Sequence, residues 1–448
     1  MRGWEKAKVS DVYPARGLLE RVTRTMRGDF TTKPWYSSYV LFILGLVSIL
    51  NYYDRFLMTI LLEPIKRDLH ISDGQIGLLA GVGFALMYSL LGVPMARLAD
   101  RYGRAPVLGV VLTLWSAMTA VCGATVNFTT MLLARTGVSI GEAGGLPTVN
   151  ALIGDYFSPR RRGLAISIIG VCSMLGSSLS LIVGGLLNDR HGWRIAYYLA
   201  SVPGFIVATV IFLTIRDPRA QASGASAPVA VLPLSVALKT LWNRKSFVLL
   251  CLGMGIGTIA NYAQQAWNPA FLMRTYHISP GQVGSRYAAV VGPAAIVAIL
   301  LGGVVNDRLA RRDPRWPLWL VALSFGLNVP ASLAFFLIHD FTIAMSMAVV
   351  STLLVGLWVA PAYTLVQSLA GAQSRALAAA LFMMILNIVG QAVGPTLTGI
   401  LSDRLSAGFG NTSLMVSLCI VSMAGAVAVI PFLLATRTVK ADIAEANS

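Results

Sequence analysis

Charge is scarce in this sequence. Asp, Glu, Lys and Arg make up 12% of its 448 residues, and 56% are hydrophobic, whereas soluble domains carry about a quarter charged residues. So little charge over so long a chain excludes a water-soluble particle, because too little polar surface remains to coat one. Acidic residues are the scarcer sign, 19 against 35 Lys and Arg, for a formal net charge of +16. In a soluble protein that excess would point to nucleic acid. Here the basic residues cluster between apolar runs, as membrane topology distributes them, so no nucleic-acid partner is expected. Cysteine and histidine are equally sparse, at four each. Cys122, Cys172, Cys251 and Cys419 all fall inside apolar stretches without a C-x-x-C pair, and the histidines lie far apart. That pattern supports neither a disulfide framework nor a zinc site, and no cofactor or metal is expected. A nucleotide-cradling G-x-x-x-x-G-K-[ST] run is lacking, as is a large soluble domain, so neither an enzyme nor a primary pump is expected. No cleavable leader is read, because the first apolar run begins only near residue 37 and is long enough to span.

What is there is a series of apolar runs. A bilayer core needs about 20 apolar residues per helix, and twelve segments meet that length: 37–62, 75–97, 105–125, 128–154, 162–187, 193–215, 246–273, 281–305, 315–338, 341–368, 375–401 and 411–435. The expected fold is all-α and polytopic, with twelve transmembrane helices. The divisions read as a basic N-terminal segment 1–36, a six-helix half 37–215, a linker 216–245, a second six-helix half 246–436 and a tail 437–448. The linker opens Arg216-Asp217-Pro218-Arg219, continues through a Ser/Ala/Gly/Pro stretch and ends in a short amphipathic run with Lys239, Arg244 and Lys245. The run 16–33 is also basic, and reads equally as an interfacial helix or a solvated tail. Most Lys and Arg fall in segments on one side, which places both termini in the cytoplasm by the positive-inside rule.

An internal repeat divides the chain. His70-Ile71-Ser72-Asp73-Gly74-Gln75-Ile76-Gly77 returns as His277-Ile278-Ser279-Pro280-Gly281-Gln282-Val283-Gly284. At the same offset Asp100-Arg101 matches Asp307-Arg308, and Arg104 matches Arg311. Each half carries a second small-x-x-x-Asp-Arg run, Gly185–Arg190 and Gly399–Arg404, on the opposite side of the membrane. Two halves, each an inverted pair of three-helix units, follow from this placement. Ala96-Arg97-Leu98-Ala99-Asp100-Arg101-Tyr102-Gly103-Arg104 resembles the signature G-x-x-x-D-R-x-G-R-R of the major facilitator superfamily, departing at Ala96 and Ala105. The second copy, Gly303–Arg312, restores both but has Ala310 in place of the glycine. These positions suit a breakable latch: Asp100 can accept from a helix N-terminus, and Arg104 can pair with Asp155. Asp100, Arg101, Gly103, Arg104, Asp155, Asp307, Arg308 and Arg311 are the candidate gating residues. A charged loop that only sets topology is the alternative.

Four charges are stranded inside apolar runs, at roughly 2.5–3.5 kcal/mol each on insertion scales. Span four reads Arg135-Thr136-Gly137-Val138-Ser139-Ile140-Gly141-Glu142, resembling a second superfamily motif, R-x-x-x-G-x-G, with Ser139 in place of its first glycine. Arg135 and Glu142 share one helix face. They read either as a structural ion pair or as a protonation site, Glu142, tuned by Arg135. Span one carries Asn51-Tyr52-Tyr53-Asp54-Arg55. Adjacent side chains point about 100° apart, so Asp54 and Arg55 are expected to have different neighbours: Asp54 as a second proton carrier, Arg55 as a contact for an anionic group, with Tyr53 beside it. Mutual neutralisation within the bundle is the alternative. At the repeat offset Asp54 becomes Asn261 and Arg55 becomes Tyr262. The second half instead offers neutral candidates for substrate: Asn261, Tyr262, Gln265, Trp358, Asn387 and Gln391. Gly390-x-x-x-Gly394-Pro395 reads as a bending point in span eleven.

N-Y-Y-D-R-F in span one, G-Q-I-G-L-L-A-G-V-G-F-A-L in span two and G-E-A in span four are similar to the Spinster family, and the resemblance runs from about residue 37 to 436. It implies the major facilitator fold and proton-linked transport of lysolipids or sphingosine phosphates. The N-Y-x-D-R element also resembles anion:cation symporters, which carry sugar acids and aromatic acids. The expected protein is therefore a proton-coupled secondary transporter of an anionic or amphipathic molecule working by alternating access. The alternatives are an organic-anion symporter or an uncoupled facilitator. Its expected partners are a small-molecule or lipid substrate, protons and membrane lipids, around a monomer in a bacterial inner membrane.

Overall fold

The computed structural model of the chain describes residues 34–217, 234–371 and 374–447. The N-terminal run 16–33 and the Ser/Ala/Gly/Pro part of the linker lie outside these. The described residues are all-helical and form twelve spans. Spans one to six are Pro34–Leu69, Asp73–Ala80 continued by Val82–Tyr102, Arg104–Gly123, Phe128–Ala143 continued by Gly145–Tyr156, Pro159–His191, and Trp193–Thr214. Spans seven to twelve are Lys245–Tyr276, Pro280–Ala310, Trp316–Leu337, Phe341–Gly356 continued by Val359–Ala370, Arg375–Ile385 continued through a π-helical turn Leu386–Ala392 into Val393–Phe409, and Ser413–Ser422 continued by Ala424–Ala435. Spans one, two, five, seven and eight overrun their apolar runs at both ends: span one reaches Leu69 rather than 62 because polar Lys66 and Arg67 still continue the helix. The linker ends in a helix, Leu234–Asn243. The expected tail is partly a helix, Val439–Asn447, docked on the second half. There Asp442 accepts from the Ser246 amide at 2.7 Å and Lys440 pairs with Asp313 at 2.9 Å.

Turn chemistry explains the tight reversals. Gly103 joins spans two and three at φ +96°, and Gly192 joins five and six at φ +82°, a region that favours glycine. The sequence repeat is also a backbone repeat. His70 and His277 both sit at φ +53°. Ser72 and Ser279 both cap the following helix, each closing a reciprocal box with Gln75 or Gln282.

The described residues begin and end, at Pro34 and Asn447, at one end of the bundle, and the halves meet at the other. Spans five and eight pack against each other, as do two and eleven. A Cβ on Gly77, Gly185, Gly284 or Gly399 would run into backbone of the facing half, so these seams close on bare backbone. One buried core runs through the first half and across this seam to Trp267, Phe271 and Phe335. A second core, around Phe247, Phe325, Phe382 and Phe432, stays within the second half near the termini. Among the described residues the hydrogen bonds joining the halves all lie at the end away from the termini.

Candidate functional site

Two kinks shape the centre of the molecule. Span two breaks at Gly81 (φ −100°, ψ −95°). Hydroxyls of neighbouring helices brace the backbone on either side of the break: Ser139 donates to the Phe84 oxygen at 2.6 Å, Thr136 to Gly83 at 3.4 Å and Thr396 to Gly77 at 3.1 Å. Span eleven breaks through its π-turn, one turn ahead of Pro395. π-turns recur at functional sites. The two kinks face each other, since a Cβ on Gly81 would meet the Ala392 oxygen.

Beside them lies a cavity of two lobes. The smaller, about 200 Å³, is basic and aromatic: Arg55, Arg135, Tyr52, Phe84, Tyr262 and Gln391 are among its walls. The larger, about 370 Å³, extends between spans five, seven, eight and ten and is mainly apolar, with Asn261, Gln265, Asn268 and Trp358 on its lining. Tyr52, Phe56, Tyr262 and Gln265 line both lobes.

Of the four stranded charges, Arg55 and Arg135 line the small lobe, and Glu142 and Asp54 lie behind its wall. The Arg55 guanidinium lies 3.4 Å from Glu142, and over the rings of Tyr88 and Phe84 at 4.5 and 4.9 Å. Glu142 is fully buried and lines neither lobe. Asp54 points elsewhere, as adjacent helical positions must, and accepts from Thr119 at 3.3 Å. Arg135 and Glu142 share a face, yet no ion pair forms between them; Arg135 lies 5.3 Å over Phe84 instead. Sequence spacing located the charges on one face but could not say that span one, reaching across, would take the carboxylate.

The remaining substrate-contact candidates divide. Asn261, Tyr262, Gln265, Trp358 and Gln391 line the lobes. Tyr53 and Asn387 do not; the Tyr53 carbonyl accepts from Ser180 at 2.7 Å, which ties span one to span five. Of the gating candidates, Arg104 is bound by Asp100 at 2.9 Å and Asp155 at 2.6 Å, all within the first half. Its amide donates to Asp217 at 2.6 Å. Gly103 is the turn residue, Arg101 lies over the Tyr102 ring at 5.3 Å, and Asp307, Arg308 and Arg311 are exposed.

The contacts that do join the halves were not among those candidates. Asp403, at the end of span eleven, accepts from the amides of Asp73 and Gly74 at 3.0 and 2.7 Å, at the N-terminus of span two. Asp189, at the end of span five, accepts from the Gly281 amide at 3.0 Å and the Ser279 hydroxyl at 2.5 Å, at the N-terminus of span eight. Arg274 bridges Asp73 (2.6 and 2.8 Å) and Glu63 (2.9 Å), and Lys66 and Ser402 each reach Asp73 at 2.6 Å. The signal was present: Asp189 and Asp403 belong to the second pair of Asp-Arg runs, and their targets to the His-Ile-Ser repeat.

Comparison with known proteins agrees with this geometry. The family model for the Major Facilitator Superfamily matches residues 44–395. The chain is 35% identical over 404 residues to an MFS-type efflux pump of Mycolicibacterium smegmatis, covering 90% of this chain and 93% of the relative. It is 27% identical over 421 residues to protein spinster homolog 1 of Rattus norvegicus, covering 86% and 76%. Among solved structures, a bacterial homolog of the human lysosomal transporter Spinster, described as inward-facing and unoccupied, superposes with a TM-score of 0.82 at 28% identity, covering 92% of this chain and 99% of that one.

Proposed function

Since the chain belongs to the Major Facilitator Superfamily and is an integral membrane transporter of the Spinster type, we propose that it couples a proton gradient to movement of an anionic, single-chain amphiphile. The observation that carries this reading is the two-lobed cavity: guanidiniums wall one lobe and apolar side chains most of the other. A headgroup with negative charge fits the first, and a chain the second. Glu142 and Asp54, buried beside Arg55 and Arg135, are the proton carriers. Neutralising either changes the charge balance at the substrate's headgroup, and the halves rock in response.

The gating follows from the inverted repeat. Carboxylates near helix N-termini are stabilising by about 0.3–2 kcal/mol. In this arrangement Asp403 and Asp189 hold the N-termini of spans two and eight. Their counterparts at the other end are Asp100, closing span two, and Asp307, closing span eight. We assign them the N-termini of spans eleven and five when that end closes, with the Arg104 pair to Asp100 and Asp155 presenting the turn. By the distribution of Lys and Arg the terminus-bearing end is cytoplasmic, in a bacterial inner membrane, so this arrangement faces inward.

The test is uptake of lysophosphatidate into proteoliposomes of the full chain, with and without an imposed pH gradient. Gradient-driven accumulation, lost in Glu142→Gln, is expected. Equal rates without a gradient would favour an uncoupled facilitator, and coupling retained in Glu142→Gln would remove that residue from the mechanism.

A further inference from the structure

The two guanidiniums of the small lobe are not equivalent. Arg55 already has an anion: Glu142 lies 3.4 Å from it, and the rings of Tyr52, Phe84 and Tyr88 surround it. Arg135 is more buried, at 2% exposure. Among the described residues it has no acceptor within hydrogen-bond or ion-pair reach, and its Nε, like that of Arg55, is buried without a partner. It nonetheless forms part of the lobe wall. A guanidinium carries five N–H donors and stays charged at any working pH. Buried charge of that kind is retained only beside a partner or a wet cavity.

We propose that Arg135, and not Arg55, anchors the substrate's anion, and that Phe84 is the positioning residue that aims it. This rests on the amphiphile reading above and says which cation holds the head. The ligand class is an oxyanion on a single chain, a phosphate monoester or carboxylate, because a planar guanidinium fork matches two oxygens of one such group.

Phe84 is completely buried, and both guanidiniums lie over its ring, Arg55 at 4.9 Å and Arg135 at 5.3 Å. Tyr88 stacks on it at 5.6 Å. Its backbone oxygen is pinned by Ser139, just past the break at Gly81. One negative π-face region thus sets where two like charges can stand. Arg55 is held back on its carboxylate, and Arg135 is left for the substrate.

Binding to the full chain in nanodiscs tests this, with dodecyl phosphate as the charged probe and dodecyl maltoside as the neutral one. Arg135→Gln should weaken dodecyl phosphate by about tenfold to a hundredfold, the range for a lost charge-assisted contact. Arg135→Lys, which keeps the charge but loses the fork, should restore only part of the affinity, Arg55→Gln should change it far less, and the maltoside should bind all variants alike. Progressive ring fluorination of Phe84 keeps its shape and drains its π-face, so dodecyl phosphate affinity should fall with each added fluorine. A purely packing role would leave that series flat. Loss on Arg55→Gln with Arg135→Gln unchanged overturns the anchor assignment and leaves the amphiphile reading standing. Dodecyl phosphate binding no better than the maltoside in the unmodified chain overturns both. If Arg135→Gln does not fold, the fluorinated series decides, and a flat series overturns the proposal.

Discussion

Asp54 accepts from the Thr119 hydroxyl at 3.3 Å, and its Oδ1 is buried without a partner among the described residues. A buried acceptor stripped of its donor costs about 1–3 kcal/mol. Thr119→Val, which keeps the shape and deletes the hydroxyl, should therefore lower thermal stability of the purified protein, while Thr113→Val, whose hydroxyl bonds only its own helix at Gly109, should not. An unchanged melting temperature for Thr119→Val would mean that Asp54 finds its partner elsewhere. At this scale the sequence was a good guide to residue type and a poor one to pairing. Asp54, Arg55, Arg135 and Glu142 stood out because charge in an apolar run has to be explained. That Glu142 would face Arg55 across two helices, 87 positions apart, depended on helix packing that spacing within one helix cannot report. Phe84 stood within the quoted span-two motif but carried no signal of its own role, since a phenylalanine in an apolar span is the ordinary case.

At the scale of the helix, the breaks matter more than the lengths. Spans two and eleven are bent where their kinks touch, and the same two helices supply one of the carboxylate caps that close the far end. The bend in span eleven was legible from Gly390, Gly394 and Pro395; the bend at Gly81 was not, because Gly77, Gly81 and Gly83 all stand in one apolar run with no proline to mark which of them breaks the helix. The caps set an expected magnitude. Asp403→Asn and Asp189→Asn should each weaken closure by about 0.3–2 kcal/mol, a population shift of roughly twofold to thirtyfold. Because the caps share no residue, the double variant should give nearly the sum. Accessibility of a cysteine placed near Gly281 to a membrane-impermeant thiol reagent reads this directly. An accessibility unchanged in the double variant would show that the caps are incidental to the Arg274 bridge.

At the scale of the molecule, the closed end is held by polar contacts and by bare backbone, and the other end has separate cores in each half. Such a bundle can pivot by rigid-body rotation of one half against the other, without repacking either half. The twelve crossings and the duplication were readable because each is a long, periodic feature: length for the spans, constant offset for the repeat. The helix within 437–448 was missed, as its nine residues carry no apolar run.

The central claim is that the two ends exchange closure, with Asp100 and Asp307 taking over at the terminus-bearing end the capping that Asp403 and Asp189 perform at the other. Spin-label distances measured across each end, in nanodiscs with and without lysophosphatidate and over a range of pH, test it most directly. The account predicts opposed changes, one end shortening as the other lengthens, with Asp100→Asn and Asp307→Asn suppressing the shortened population at their own end. Distances that shorten or lengthen together at both ends, or that ignore those two substitutions, would contradict it.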